Sequence, residues 1–262
     1  MPRHFYPMIF TALVSLALGN LAMAQQAPKP HKALFVYGGW NGHAPEKFRD
    51  MLVPWLQSEG FEVMVTDKLD VYTNKEVMES MDLIVQIRTM DNTVTPPQVM
   101  GLMKAVENGV GLAGWHGGLA DAFRNQPRYE YMVGGAWGEH PGNDGIKYRV
   151  NIIDHEDPIT KGLNDFDVVS EQYYMLVDPN NKVLATTTFE GKHDPWVKGA
   201  VMPVAWEKMF GKGRVFYTSL GHQPEVYNTP DALTLLKRGI LWASRSKYET
   251  TPDLVTPKYP SK

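Results

Sequence analysis

A chain of 262 residues can hold one large domain or two small ones, and its 43% hydrophobic and 21% charged residues suit a globular protein with a real core. A formal charge of −3 supplies no electrostatic drive toward nucleic acid or an anionic membrane. Cysteine is absent, which excludes thiol nucleophiles, thiolate metal sites and disulfides.

The N-terminus opens with Arg3 and His4, an apolar run from Phe5 to Leu21, and the small-residue site Ala22-Met23-Ala24. That order predicts a signal peptide over residues 1–24 and export to the periplasm or beyond. An uncleaved anchor is the alternative, but the run sits near the lower length limit for a span. Cleavage leaves no stable membrane insertion. Residues 25–31 read as a disordered leader, 32–246 as one domain, and 247–262, with three prolines, as an extended tail.

The first half of the domain alternates strand and helix. Ala33 to Tyr37 is an apolar run ending at Gly38-Gly39, the pattern of a buried parallel strand. A helix is predicted from Pro45 to Glu59, with Phe48, Leu52, Trp55 and Leu56 on one face, Pro54 within it and Gly60 after it. Strands come next at Phe61–Val65 and Asp82–Ile87. Pro96-Pro97 opens a helix carrying Val99, Leu102, Met103 and Val106 at i, i+3, i+4 and i+7. Gly111–Trp115 is the fourth strand. The second half reads as strands at 148–153, 171–177, 182–189, 201–207 and 213–219, closed by a helix that begins at Thr229-Pro230. These elements predict an α/β fold, a doubly wound parallel sheet with extra strands in the C-terminal half.

In such sheets ligands gather beyond the strands' C-terminal ends. The predicted tips are Gly38–His43, Arg88–Asp91 and Trp115–Gly118, which bring His, Arg or Asp beside glycine. Gly114-Trp115-His116-Gly117-Gly118 has the glycine frame of a nucleophile elbow, but histidine holds the nucleophile's place. An imidazole there can act as a base, an oxyanion partner or a metal ligand; the plainer alternative is a glycine turn with His116 capping a helix. Beyond the signal and leader segments stand His43, His116, His140, His155, His193 and His222. They show no short metal-binding spacing, so a metal site must be assembled from distant segments. Glu171-Gln172-Tyr173-Tyr174 offers a carboxylate and a phenol on one face of a strand, suited to proton transfer or hydroxyl recognition, or simply to a solvated cross-strand pair.

Taken in order, Tyr37-Gly38-Gly39 with Gly42-His43, the elbow, Gly134-Gly135 with His140, Asp157 to Leu163, Glu171 to Tyr174, Pro203 to Trp206 and Gly211 to His222 resemble the ThuA-like (trehalose utilisation) family. The resemblance spans about residues 33–245. It implies a flavodoxin-like, class I glutamine-amidotransferase-like fold without amidotransferase activity, and a link to carbohydrates passing through 3-keto intermediates. It carries His43, His116, His140, Glu171, Tyr173 and His222 over as pocket residues. It also implies a divalent metal such as zinc, with His43, His116 and His222 as ligands.

The resulting expectation is an enzyme acting on a carbohydrate by acid–base or metal-assisted chemistry. His116 and Glu171 exchange protons, while His43, Trp115, Gly117, Gly118, His140, Tyr173 and Trp206 contact substrate. The alternative is a non-catalytic sugar-binding protein with Trp40, Trp115, Trp137 and Trp206 as stacking platforms. Glutaminase or peptidase activity through Ser or Thr ranks below both, because the elbow holds histidine. Either leading reading requires His43, His116 and His222 to fall within about 12 Å of one another, the reach of one small-molecule pocket.

Overall fold

The computed structural model describes Met1 and residues 31–251; residues 2–30 of the expected signal peptide and leader, and the tail beyond Thr251, lie outside the described residues, and His31, expected in the leader, already begins the first strand. The strands are β1 (His31–Gly39), β2 (Phe61–Thr66), β3 (Leu83–Thr89), β4 (Gly111–Trp115), β5 (Gly135–Glu139), β6 (Ile146–Ile152), β7 (Phe166–Ser170), β8 (Tyr174–Val177), β9 (Lys182–Thr188), β10 (Val201–Phe210) and β11 (Gly213–Thr218). The helices are α1 (Pro45–Ser58), α2 (Lys75–Ser80), α3 (Pro96–Glu107), α4 (Gly117–Ala120), α5 (Pro127–Val133) and α6 (Pro230–Ser244).

Nine strands form one sheet in the order β2-β1-β3-β4-β11-β10-β9-β6-β7. The first five run parallel and the rest antiparallel. Strands β5 and β8 pair separately as a small antiparallel ribbon. One face of the main sheet is covered by α1 and α6 through Phe48, Leu52, Leu56, Leu235, Leu236 and Ile240. The other is covered by α2, α3 and α5 through Met78, Val99, Leu102, Val106, Tyr129 and Met132. The predicted doubly wound sheet is therefore the observed one.

Local sequence explains most elements. Pro54 lies inside α1 with the chain still helical, because the residues flanking it on the core side, Leu52 and Leu56, are fully buried. Helix α3 starts on a capping box in which Thr95 N–H donates to Gln98 Oε1 at 2.8 Å. Asn74 caps α2 by accepting from the Val77 N–H at 3.1 Å.

Four elements depart from the sequence expectation. The second half also contains β5 and β7, and the loops hold α2 and α5. Gly135-Ala-Trp-Gly-Glu is too glycine-rich to read as a strand, and it exists by pairing with β8. Residues 171–173, expected within a strand, lie just before β8 instead. Past α6, residues 247–251 fold back: Lys247 Nζ donates to the Glu79 carbonyl at 2.9 Å, and Glu249 pairs with Arg214 at 3.2 Å.

Crossover α1 lies on one face and α2 and α3 lie on the other, so the winding reverses between β1 and β3. In doubly wound sheets that switch point, at the strands' C-terminal ends, is where ligands bind.

Candidate functional site

The site is built from the segments that leave the C-terminal ends of four parallel strands, β1, β3, β4 and β11. The chain after β1 makes a tight turn over Asn41–His43 and seats His43, 4% exposed, over the sheet. Strand β3 ends at Thr89, whose Oγ1 lies 2.7 Å from His43 Nδ1. Strand β4 runs directly into His116, which has φ +49° and ψ −147°. A non-glycine residue in that region is strained, and such strain persists where the surroundings over-determine it. Here they do. The His116 N–H donates to the Thr218 carbonyl at 2.7 Å, and Nδ1 meets the Ser219 carbonyl at 2.8 Å.

The two elbow glycines serve close packing. A Cβ on Gly117 would sit 2.6 Å from His43 Cε1, and one on Gly118 would sit 2.6 Å from Ile87 Cγ1. Beneath them, buried Gln86 donates to the Gly118 carbonyl at 3.2 Å and to the Tyr129 hydroxyl at 2.9 Å, and accepts from Tyr72 at 2.6 Å.

The imidazoles converge on one carboxylate. Glu171 Oε2 is 3.0 Å from His116 Nε2 and 4.0 Å from His43 Nε2; Oε1 is 3.4 Å from His222 Nδ1 and 3.9 Å from His140 Nε2. Ring centroids of His43, His116 and His222 are 4.6 to 5.5 Å apart, well inside the limit set from sequence. Tyr173 stacks on His116 at 4.1 Å and 25°. Glu171 and Tyr173 both lie against His116, but not as alternating residues of one strand, because the strand begins only at Tyr174.

Charge states depend on burial and neighbours. Burial first, then His116 and His222, lowers the His43 pKa to about 2, so His43 is neutral at physiological pH. Burial also lowers His116. Burial disfavours charge on Glu171, but His116 and His222 outweigh it and hold the carboxyl below the usual glutamate range. His222 is pushed the other way: burial lowers it, and Glu171 and Asp144 more than compensate.

These states leave a gap that a cation fits. With its Nδ1–H given to the Ser219 carbonyl, neutral His116 turns the Nε2 lone pair toward an ionised oxygen 3.0 Å away. Two acceptors face each other there, and a shared cation or proton relieves them. His222 Nδ1 is buried and finds no aligned hydrogen-bond partner among the described residues, its 3.4 Å approach to Glu171 being misdirected. One ligand atom from each of His43, His116, Glu171 and His222 lies within 4.8 Å of the other three. Tetrahedral zinc with bonds near 2.1 Å sets its ligand atoms about 3.4 Å apart, so side-chain adjustments of about 1 Å complete the shell. The buried His/Glu cluster can hold a metal.

Other expected site residues are placed differently. Trp115 and Trp206 are fully buried and cannot touch a ligand: Trp115 packs on Phe48 at 5.1 Å, and Trp206 donates to the Val133 carbonyl at 2.9 Å. Both lie on strands the sequence placed correctly, but their side chains face the core, which strand position alone does not reveal. Gly117 and Gly118 are likewise buried against His43 and Ile87 rather than presented to a ligand. Trp40, 47% exposed, meets His43 edge-on at 4.9 Å, and Trp137 lies 5.4 Å from His140. His140 is at the rim, with 24% of its side chain exposed. His155 and His193 are exposed and outside the cluster. Thr89, the Ser219 carbonyl and Gln223, whose amide donates to the Gly42 carbonyl at 2.6 Å, escaped the sequence reading. The one available signal was that Thr89 lies within the Arg88–Asp91 tip.

A parallel sheet with an elbow at the end of β4, extended by antiparallel strands, defines a glutamine-amidotransferase-like fold in which histidine replaces the nucleophile. The chain belongs to the ThuA family, described as trehalose utilisation, whose model matches residues 32–243. A ThuA-like protein from Bacteroides uniformis is similar to it in structure, with a TM-score of 0.70, 21% identity, and coverage of 84% of this chain and 94% of that one. Another from Parabacteroides merdae has a TM-score of 0.67 and 21% identity, covering 86% and 94%. A glutamine amidotransferase from Thermotoga maritima has a TM-score of 0.50 and 10% identity, covering 84% and 99%, which speaks to fold alone. No curated protein matches the sequence. No helix among the described residues is long and apolar enough to cross a membrane.

Proposed function

We propose that this is an exported enzyme acting on a carbohydrate or 3-keto-sugar, by proton transfer or metal-assisted chemistry next to a sugar carbonyl, without glutaminase activity. The observation that carries the proposal is the convergence of His43, His116 and His222 on Glu171 at the switch point of the sheet. The family's description, trehalose utilisation, supports a sugar substrate, and the N-terminal apolar segment supports export.

In this reading His43, His116, His222 and Glu171 hold a divalent ion such as zinc. When bound, such an ion supplies Lewis acidity toward a carbonyl or hydroxyl oxygen. Thr89 and the Ser219 carbonyl keep the His43 and His116 rings aimed inward. His140 at the rim accepts or returns a substrate proton, since it is the cluster imidazole with the largest exposed share. Trp40 presents an open indole face beside His43 for a sugar ring. That exposed ring also favours the second reading, a binding protein without turnover.

The test is metal analysis of the purified protein beside His116→Ala and His222→Ala, then proton exchange into 3-keto-glucosides monitored by NMR. A stoichiometric metal lost in both variants, with exchange lost in His140→Ala, is the expected result. Absence of metal from folded wild-type protein defeats the metal-assisted form. Tight sugar binding with no exchange defeats the enzyme and leaves the binding protein.

A further inference from the structure

A second concavity lies at the other end of the sheet. Arg214 near the start of β11 lines it, whereas Ser219 beyond that strand's end belongs to the histidine site. Five residues of strand place the two roughly 16 Å apart. The cavity holds about 370 Å³ between α6 and the Asp157–Ile159 turn. Its apolar wall is Ile159, Leu241 and Trp242.

Its polar lining carries both signs of charge. Lys182 pairs with Asp157 and sits 3.5 Å from both Glu207 Oε2 and Asp154 Oδ2, so one ammonium faces three carboxylates. Glu207 is 1% exposed, and its Oε1 has no hydrogen-bond partner among the described residues. A buried carboxylate oxygen left unpaired is costly, and in a cavity wall it marks where a donor belongs. Burial, and then Asp157, push its pKa up to about 7, as expected of an under-solvated acid. Arg238 and Arg245 also line it. Arg238 gives Nη1 to the carbonyls of Ile159 and Lys161, and Arg245 is 59% exposed with Glu249 at 3.5 Å. Arg214 is already engaged by Trp242, Glu249 and Thr251.

We propose that this cavity is a second binding site, separate from the histidine cluster, for a small carboxylate bearing hydroxyl or ammonium donors. A donor satisfies Glu207 Oε1, and the carboxylate meets the Arg238 and Arg245 guanidiniums, a pair of contacts that neither a simple sugar nor a simple acid provides. The volume admits one compact molecule, at the small end of ordinary ligand pockets.

Calorimetric titration of the full protein with sodium D-gluconate, L-alanine and sodium propionate tests this. Gluconate stands for a hydroxy acid, alanine for an amino acid, and propionate lacks the donor. Gluconate or alanine is expected to bind with 1:1 stoichiometry at least tenfold more tightly than propionate. Glu207→Gln and the exposed Arg245→Ala variant are each expected to weaken that binding at least tenfold, whereas His116→Ala leaves it unchanged. No binding of either donor-bearing acid, or equal binding of propionate, overturns the proposal. So does binding that survives both cavity variants or disappears in His116→Ala. Metal content and proton exchange at the histidine site report separately, so the two readings fail independently.

Discussion

Gly117 offers a direct test of how the site is built. No positive φ is needed there, so alanine is compatible with the backbone and the only obstacle is space. The added Cβ would lie 2.6 Å from His43 Cε1 and 3.0 Å from both His43 Nδ1 and Thr89 Cγ2. Ordinary carbon contacts are about 3.6 Å, so His43 must retreat by about 1 Å. A retreat of that size breaks its 2.7 Å contact with Thr89 Oγ1. Overpacking of this kind costs about 1–3 kcal/mol, or a fall in Tm of several degrees for a domain of this size. The decisive assay is a double-mutant cycle with His43→Ala, measured by denaturant unfolding of metal-free protein. Once the imidazole is gone, Gly117→Ala should become nearly harmless, giving a coupling of at least about 1 kcal/mol. Additive effects within about 0.5 kcal/mol would refute the claim that Gly117 is glycine because His43 needs its space.

The same geometry carries three further expected outcomes. Thr89→Val should lower zinc affinity about 10- to 100-fold by releasing His43, and Thr89→Ser should restore it, which equilibrium dialysis reads. His43 and His116 have folded pKa values below the unfolded 6.5, so the unfolded chain binds more protons as pH falls. Metal-free protein should therefore lose stability on acidification below about pH 6.5, by about 1.4 kcal/mol per pH unit for each imidazole kept neutral. His222 has the opposite sign: its stabilisation is full below 6.5 and disappears as pH rises through its raised folded value. Urea melts between pH 5 and 8, compared with His222→Gln, separate these effects, and a flat profile contradicts the assignment. Finally, Trp206→Phe removes the bond to the Val133 carbonyl and should cost about 1 kcal/mol of stability without changing metal or sugar binding. Altered sugar affinity in that variant would return Trp206 to the site.

Much of this protein was legible in its sequence because the relevant information is local. Apolar runs ended by glycine marked β1 and β4, and the i, i+3, i+4 spacing of Val99, Leu102 and Met103 marked α3. Histidine between Trp115 and Gly117, in a chain without cysteine, excluded thiol chemistry outright. The family resemblance, carried by motifs such as Gly42-His43 and Gly211 to His222, also named the three imidazoles that converge. The tertiary structure alone decided that they do, because His43 meets Thr89 across 46 residues, His116 meets Glu171 across 55, and His116 meets Ser219 across 103. It alone buried Trp115 and Trp206, left His155 and His193 outside, and made a strand of Gly135–Glu139. Periodicity reports which face of an element is apolar. Which faces meet, and which polar atoms are left without partners when they do, is settled by packing between segments far apart in the chain.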